Sequence, residues 1–359
     1  MNIPVDAIDI EVARPVPRTP SHPTHKLKML LKREFWEHKG GFLWAPFWAC
    51  VGSLLVTFMA LVVGEVAARR AIGAGKLDGG NLTADGIHIN GLDLRAITSD
   101  MDAEAMRNLA GGIDISMLMS SFWPLIVLGF VVFFYCLGCL YDERKDRSVL
   151  FWKSLPVSDR DTVLSKAVSA LLVAPTLGVA AAIACMFGFL VLISLFVMLH
   201  HGNPFTLIWG PGNPLKVAAS MVALIPVYAL WALPTVGWLM LCSAWSRSKP
   251  FLWAILLPVF AGIVVGWFGL MNVFALDTGW FWRNIVFRGL LSVVPGSWYA
   301  NDALRDGVGR VNDPGDLVDM IHVGHSWAIF GSAELWIGAI AGIAMIAAAI
   351  RLRRWRDDN

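Results

Sequence analysis

Two short motifs contain the residue types that bind metals or carry out redox chemistry. Cys136 and Cys139 form a C-x-x-C pair, and His322 and His325 lie three residues apart. The cysteines lie within the apolar run FFYCLGCLY, which favours packing as small hydrophobic side chains over redox or metal chemistry. The histidines have no third ligand in register. We therefore predict no metal site in this chain.

Nucleotide chemistry is not predicted in this chain either. The segment Gly73 to Leu77 comes nearest to a phosphate-binding G-x-x-x-x-G-K-[ST] loop, but it lacks the first glycine at the required spacing and the final Ser or Thr. The long apolar runs contain no nucleophile paired with a base. The sequence therefore predicts a non-catalytic chain without a cofactor of its own.

The composition indicates an integral membrane protein. Of the 359 residues, 57% are hydrophobic and 16% are charged, which is more apolar material than a soluble domain can enclose. The net charge of +2 gives no broad basic surface for nucleic acid. Six runs have the roughly 20 residues that a spanning helix needs, so we predict an all-α, six-helix transmembrane domain over 42–350. The runs are Phe42 to Val63, Met117 to Leu140, Ala167 to Leu199, Val217 to Ser246, Pro250 to Leu276 and Trp327 to Ile350.

The distribution of Lys and Arg predicts that both termini are cytoplasmic. In that orientation the inner segments hold 19 of the 29 basic residues, although the outer segments are longer. The outer segments are 64–116 and 277–326, and the start of the second predicts an interfacial or re-entrant helix pair. The main inner segments are a flexible tail (1–25), an amphipathic helix (26–41), a loop (141–166) and a basic tail (351–359).

The loop 141–166 combines a dense charged cluster with apolar and aromatic residues. It reads YDERKDRSVLFWKSLPVSDRDTVLSK, in which we predict a short surface helix that Pro156 ends and a second helix that begins at Ser158. Exposed Phe and Trp are unusual in a solvated loop. The pattern therefore favours a docking face for a partner. The alternative is a solvated loop whose charges only keep it on the cytoplasmic side of the membrane.

This loop carries a family resemblance. Asp142-Glu143-Arg144, then Ser148, then Ser154-Leu155-Pro156-Val157-Ser158 with Arg160 and Lys166, resembles the loop between the second and third spans of ABC type 2 exporter permeases. The resemblance extends more loosely to the basic helix before the first span and to a last span that opens with Glu334. Arg147 departs from the pattern, because glycine is common in the family at that position.

The resemblance implies that the loop contains a coupling helix, which docks in a groove of a separate ATPase and transmits its closure to the spans. ATP and Mg²⁺ would then bind to that ATPase. The helix at 26–41 would be the connecting helix, with Arg33, Glu34 and Trp36 as its site residues. The expected contacts with the ATPase are Glu143, Arg144, Leu150, Phe151, Trp152, Leu155 and Pro156.

The connecting helix has two possible roles. Its leucines and Phe35 recur at helical spacing, which suits anchoring on the inner surface of the membrane lipid. Glu34 and His38, however, fall on the same face as the leucines. By resemblance to the family, Glu34 is expected to pair with a basic residue of the loop 141–166 and to help relay motion.

Two functions remain as alternatives. In the first, two copies of this chain form an export path through a bacterial inner membrane, and two ATPase subunits drive it. In the second, the chain is a membrane scaffold or sensor that recruits a cytoplasmic partner without transport. Spans with almost no charge favour a hydrophobic or amphiphilic cargo, such as a lipid, peptide or antibiotic.

Overall fold

The computed structural model describes residues 23–73, 103–147, 157–200, 202–271, 277–300 and 323–356. The predicted tail 1–25 lies almost wholly outside this part of the chain, as do His322 and most of the segment 64–116. The described residues are all-helical and contain no strand.

The described residues form thirteen α-helices. In chain order they are α1 (Pro23–Glu37), α2 (Ala45–Gly73), α3 (Ala103–Gly138), α4 (Tyr141–Lys145), α5 (Asp159–Val168), α6 (Ala174–Leu199), α7 (Pro214–Ala223), α8 (Ile225–Trp245), α9 (Pro250–Leu270), α10 (Thr278–Phe281), α11 (Arg288–Leu291), α12 (Val323–Ala328) and α13 (Ala333–Arg356). Wider π-helical turns at Gly40–Trp44, Ser169–Val173, Phe205–Trp209 and Trp282–Phe287, and 3₁₀ turns at Ser297–Ala300 and Ile329–Gly331, complete the helical part.

The prediction of six membrane-spanning helices is confirmed by length and composition. The described residues contain six helical stretches that are long and apolar enough to cross a bilayer. The stretches are Gly40–Ala67, Met106–Lys145, Asp159–Leu199, Pro214–Trp245, Pro250–Leu270 and Ala333–Trp355.

Several helices are longer than the apolar runs predict. The stretch Asp159–Leu199 has 41 residues, and a helix of that length extends about 60 Å, roughly twice the hydrocarbon thickness. Six of its first eight residues, Asp159 to Lys166, are polar. They form a helical extension before the apolar run that begins at Ala167. Backbone hydrogen bonding continues through the π turn at Ser169–Val173, which carries the helix past Pro175 without a break.

Helices α8 and α13 pack closely against each other. Gly237 on α8 faces Gly342 on α13, and a β-carbon added at Gly342 would lie 2.5 Å from the carbonyl oxygen of Leu233. Backbones can approach this closely only where no side chain intervenes, as at small-residue contacts in membrane bundles. This contact fixes α13 against α8.

We predict that Gly342→Ala lowers the thermal unfolding midpoint of the purified protein. The added methyl group meets backbone, which cannot rotate away, so the overpacking costs about 1–3 kcal/mol. Gly52→Ala is the matched control, because nothing lies within 4 Å of its added carbon and a helical Gly→Ala change is normally favourable. Equal midpoints for the two variants would contradict the close packing of α8 on α13.

Candidate functional site: a buried charge cluster

Glu34 is a charged residue buried on α1. Only 1% of its surface is exposed, although α1 also carries four lysine or arginine residues. The Tyr135 hydroxyl on α3 donates a hydrogen bond of 2.9 Å to Glu34 Oε2. His38, one turn along the chain, stacks on Phe42 and meets the Tyr135 ring edge-on. Glu34 and His38 thus share the helix face of the leucines because that face contacts Tyr135.

Lys166 on α5 is the principal partner of Glu34. Its Nζ lies 2.9 Å from Glu34 Oε1 and 3.0 Å from Glu143 Oε1, and only 1% of the residue is exposed. A buried ammonium group needs such partners, because an isolated charge in a medium of low dielectric constant is strongly unfavourable. Lys166 thus joins α1 to α4 through two carboxylates.

Arg353, near the end of α13, completes the arrangement. Its Nη1 lies 2.9 Å from Glu143 Oε2, and its Nε lies 3.2 Å from Asp159 Oδ1 on α5. Arg33 on α1 lies 3.6 Å from Glu143 Oε1. We call these six residues the charge cluster. They are Arg33, Glu34, Glu143, Asp159, Lys166 and Arg353.

The charge cluster is electrically balanced. Three cations face three carboxylates, and Glu34, Glu143, Lys166 and Arg353 are all nearly inaccessible to solvent. A buried, hydrogen-bonded network of this kind adds little net stability compared with apolar packing, but removal of one member leaves an uncompensated charge. Its main effect is to fix which helices meet and in what register.

Arg144 holds the start of the loop against the end of α8. Its guanidinium donates hydrogen bonds to the carbonyl oxygens of Ser243 and Ser246, the latter at 3.1 Å. The Ser243 hydroxyl in turn accepts from the backbone N–H groups of Leu140 and Tyr141 at 3.1 and 3.0 Å. A cation at a helix C-terminus satisfies carbonyls that have no partner within the helix.

The far side of the loop has the predicted helix start. The Ser158 hydroxyl accepts a hydrogen bond of 3.1 Å from the Asp161 backbone N–H, which confirms Ser158 as the N-cap of α5. Arg147 has φ of +55°, in the left-handed region that favours glycine. The chain therefore turns sharply as it leaves α4.

The predicted site residues divide into three groups. Glu143, Arg144, Arg33 and Glu34 all form ion pairs or hydrogen bonds within the chain. Trp36 is instead 58% exposed on α1, with Lys39 Nζ 5.2 Å from the centre of its ring. The remaining predicted contacts lie outside the described residues, namely Leu150, Phe151, Trp152, Leu155 and Pro156.

The site-residue prediction missed Lys166, Arg353, Asp159 and Tyr135. Lys166 carried a usable signal, because a lysine directly before more than 30 apolar residues must either reach solvent or find a carboxylate. Arg353 lies 210 positions from Glu143, so no local pattern connects the two residues. The structure brings Glu34 to Lys166, the last residue of the loop, which is the type of pairing that the sequence hypothesis describes.

The described residues show no metal-binding group and no reactive thiol pair. They contain no group of three or more metal-binding side chains, and all five cysteines are free and buried. The charge cluster has carboxylates but its cation positions are already filled by Lys166 and Arg353.

Comparison of the chain with protein families, with curated proteins and with solved structures found no match.

We predict that Lys166→Met destabilises the protein by about 3–5 kcal/mol, because it leaves Glu34 and Glu143 short of a buried counter-charge. Thermal unfolding in detergent measures the effect. Adding Glu34→Gln to Lys166→Met should recover part of the loss, since one of the two carboxylates is then neutral. Lys145→Met, at an exposed position of α4, is the matched control. A Lys166→Met midpoint equal to that of the control would show that the ion pairs do not hold the helices.

Proposed function

We propose that this chain is the transmembrane subunit of an ATP-driven exporter, and that the loop 141–166 couples it to a separate ATPase. ATP and Mg²⁺ would bind to that partner. Both termini and the loop would then face the cytoplasm of a bacterium. The proposal rests on the residue pattern of the loop together with the way in which its two ends are anchored.

One observation carries the proposal. Glu143 lies near the start of the loop and Lys166 at its end, and the two form an ion pair. Each of them also forms an ion pair with a residue of another helix. Glu143 contacts Arg353 on α13, and Lys166 contacts Glu34 on α1. Buried charge pairs resist separation, so a displacement of the loop would be passed to these helices and not absorbed at its base.

This arrangement gives the proposed coupling a defined route. Lys166 lies at the start of the long helical stretch Asp159–Leu199, and Arg353 lies at the end of α13, which packs along α8. Movement of the residues between 147 and 157 would therefore reach the third, fourth and sixth spanning stretches through a single cluster. In this proposal Glu143 and Arg144 position the loop. The docking contacts come from Leu150, Phe151, Trp152, Leu155 and Pro156.

The spanning helices leave room for a second copy of the chain. The stretches Gly40–Ala67 and Pro250–Leu270 expose most of their apolar side chains, among them Trp48, Val56 and Phe260. Lipid or another subunit must cover such surfaces. Two copies would enclose a path with apolar walls, which favours a hydrophobic or amphiphilic cargo.

Purification of the tagged full-length chain from native membranes tests the proposal. We expect an ATPase to co-purify, and its ATP hydrolysis in lipid to depend on the presence of this chain. If no nucleotidase associates, the exporter proposal fails and the scaffold or sensor alternative is favoured.

The loop itself is tested by a double substitution, Phe151→Ala with Trp152→Ala. Loss of two aromatic anchors from a groove typically costs several kcal/mol of binding, so we expect ATPase association to fall by at least tenfold. The thermal unfolding midpoint of the chain alone should not change. Trp355→Ala removes a 70% exposed tryptophan from the helix that carries Arg353, and serves as the control. An equal fall in association for Trp355→Ala would argue against docking by the loop.

The relay through α1 has its own test. Glu34→Gln retains the shape of the side chain but removes the charge that faces Lys166. We expect the variant to bind the ATPase normally and to show reduced transport for each ATP hydrolysed. Wild-type hydrolysis and transport in Glu34→Gln would remove the relay role of α1.

A further inference from the structure

A second polar site lies far from the charge cluster. Glu334 is in the first turn of α13 and Arg353 is 19 residues further on, so about 28 Å of helix separates the two ends. At the Glu334 end, a cavity of about 490 Å³ lies between α8, α13 and the segment 278–297. Its walls include Trp231, Trp282 and Arg288.

Hydrogen bonds to α8 hold the walls of this cavity in place. The Thr235 hydroxyl donates to the Arg288 backbone carbonyl at 2.8 Å, and the Tyr228 hydroxyl donates to the Val293 carbonyl at 2.9 Å. The Trp231 indole N–H donates to Ser297 Oγ at 3.0 Å. The cavity is therefore part of the packed bundle.

Buried donors in the cavity lack acceptors. Arg288 Nε, Arg288 Nη2 and Asn284 Nδ2 are buried and have no hydrogen-bond partner among the described residues. Such groups are rare, since an unsatisfied buried donor costs about 1–3 kcal/mol and a charged one costs more. Asn284 and Arg288 lie four positions apart in one helical segment, so they lie on adjacent turns. Together they present three donors without an acceptor.

The charge of Arg288 is only partly compensated. Its guanidinium carbon lies 4.3 Å from the centre of the Trp231 ring, which orients the group over the aromatic face. Glu334 lines the same cavity, but Arg288 forms no ion pair within 4 Å in the described part of the chain. Burial lowers the pKa of Arg288 from its usual value, and the charge of Glu334 offsets this in part. Arg283 also lines this cavity.

An apolar cavity adjoins the polar one. It has a volume of about 410 Å³ and shares Asn284, Arg288 and Glu334 with its neighbour. Its other walls are almost entirely apolar, with side chains such as Trp238, Leu257, Ile337 and Met345. Gly338 faces Arg288 Nη2 so closely that a β-carbon there would collide with the guanidinium. The absence of a side chain at Gly338 leaves the guanidinium at the junction of the two cavities.

We propose that Arg288 and Asn284 bind the anionic headgroup of an amphiphile, a phosphate or carboxylate, whose apolar chain occupies the adjoining cavity. The planar guanidinium fork matches the oxygen atoms of such a headgroup. The Asn284 amide supplies a further donor. The test of this site does not depend on the proposed coupling to an ATPase, because binding is measured on this chain alone.

Native mass spectrometry of the delipidated full-length protein in detergent tests this site. The probes are phosphatidylglycerol, diacylglycerol with the same acyl chains, which lacks the phosphate, and inorganic phosphate. We expect phosphatidylglycerol to bind about tenfold more tightly than diacylglycerol, the factor that one charge-assisted hydrogen bond provides. Arg288→Gln should reduce phosphatidylglycerol binding to the diacylglycerol level. Asn284→Ala should reduce it by a smaller factor.

Arg69→Gln is the matched control, because Arg69 has a 77% exposed side chain and does not line either cavity. It should retain wild-type binding. Thermal unfolding of each variant separates lost binding from lost folding, and Asn284→Ala keeps the test open if Arg288→Gln does not fold. Unchanged phosphatidylglycerol binding in Arg288→Gln and Asn284→Ala would overturn the proposal. Inorganic phosphate that displaces phosphatidylglycerol at equal concentration would overturn the role of the apolar chain.

Discussion

Four nearly inaccessible charges, Glu34, Glu143, Lys166 and Arg353, impose the strongest constraint on this molecule. Each is acceptable only while its partners remain in place, because none can exchange its ion pair for water without local opening of the structure. The four side chains come from α1, α4, α5 and α13, so these helices must meet at one point. Apolar surfaces can pack against one another in many ways, whereas the charge cluster requires each carboxylate to meet its own cation.

Helix α13 extends that constraint along the length of the molecule. Its far end carries Arg353 in the charge cluster, its middle packs backbone to backbone with α8 at Gly342, and its first turn carries Glu334 beside the cavity of Arg288. A helix of 24 residues with no internal proline transmits a shift of one end to the other with little bending. The two proposed sites therefore lie at opposite ends of one helix.

The sequence predicts those features of the fold that depend on neighbouring residues or on the thickness of the bilayer. The six spans follow from run length, because the bilayer sets how many apolar residues a helix needs, and the Ser158 cap follows from side-chain chemistry within one turn. The location of Arg353 could not be predicted, since it depends on how α13 packs 210 residues from Glu143. The role of Arg288 could not be predicted either, because it depends on the cavity that α8 and α13 form around it. Glu34 is intermediate, because its place on an apolar helix face indicates a buried partner without identifying Lys166.

If the charge cluster fixes α1 to the spanning helices, the distance between α1 and the end of α13 must be narrowly defined. Spin labels at Met29→Cys on α1 and Trp355→Cys on α13 occupy exposed positions, and the five native cysteines are buried. Electron spin resonance in lipid nanodiscs should give one narrow distance distribution, which broadens when Lys166→Met is introduced. A distribution that is broad from the start, or one that Lys166→Met leaves unchanged, would contradict the account.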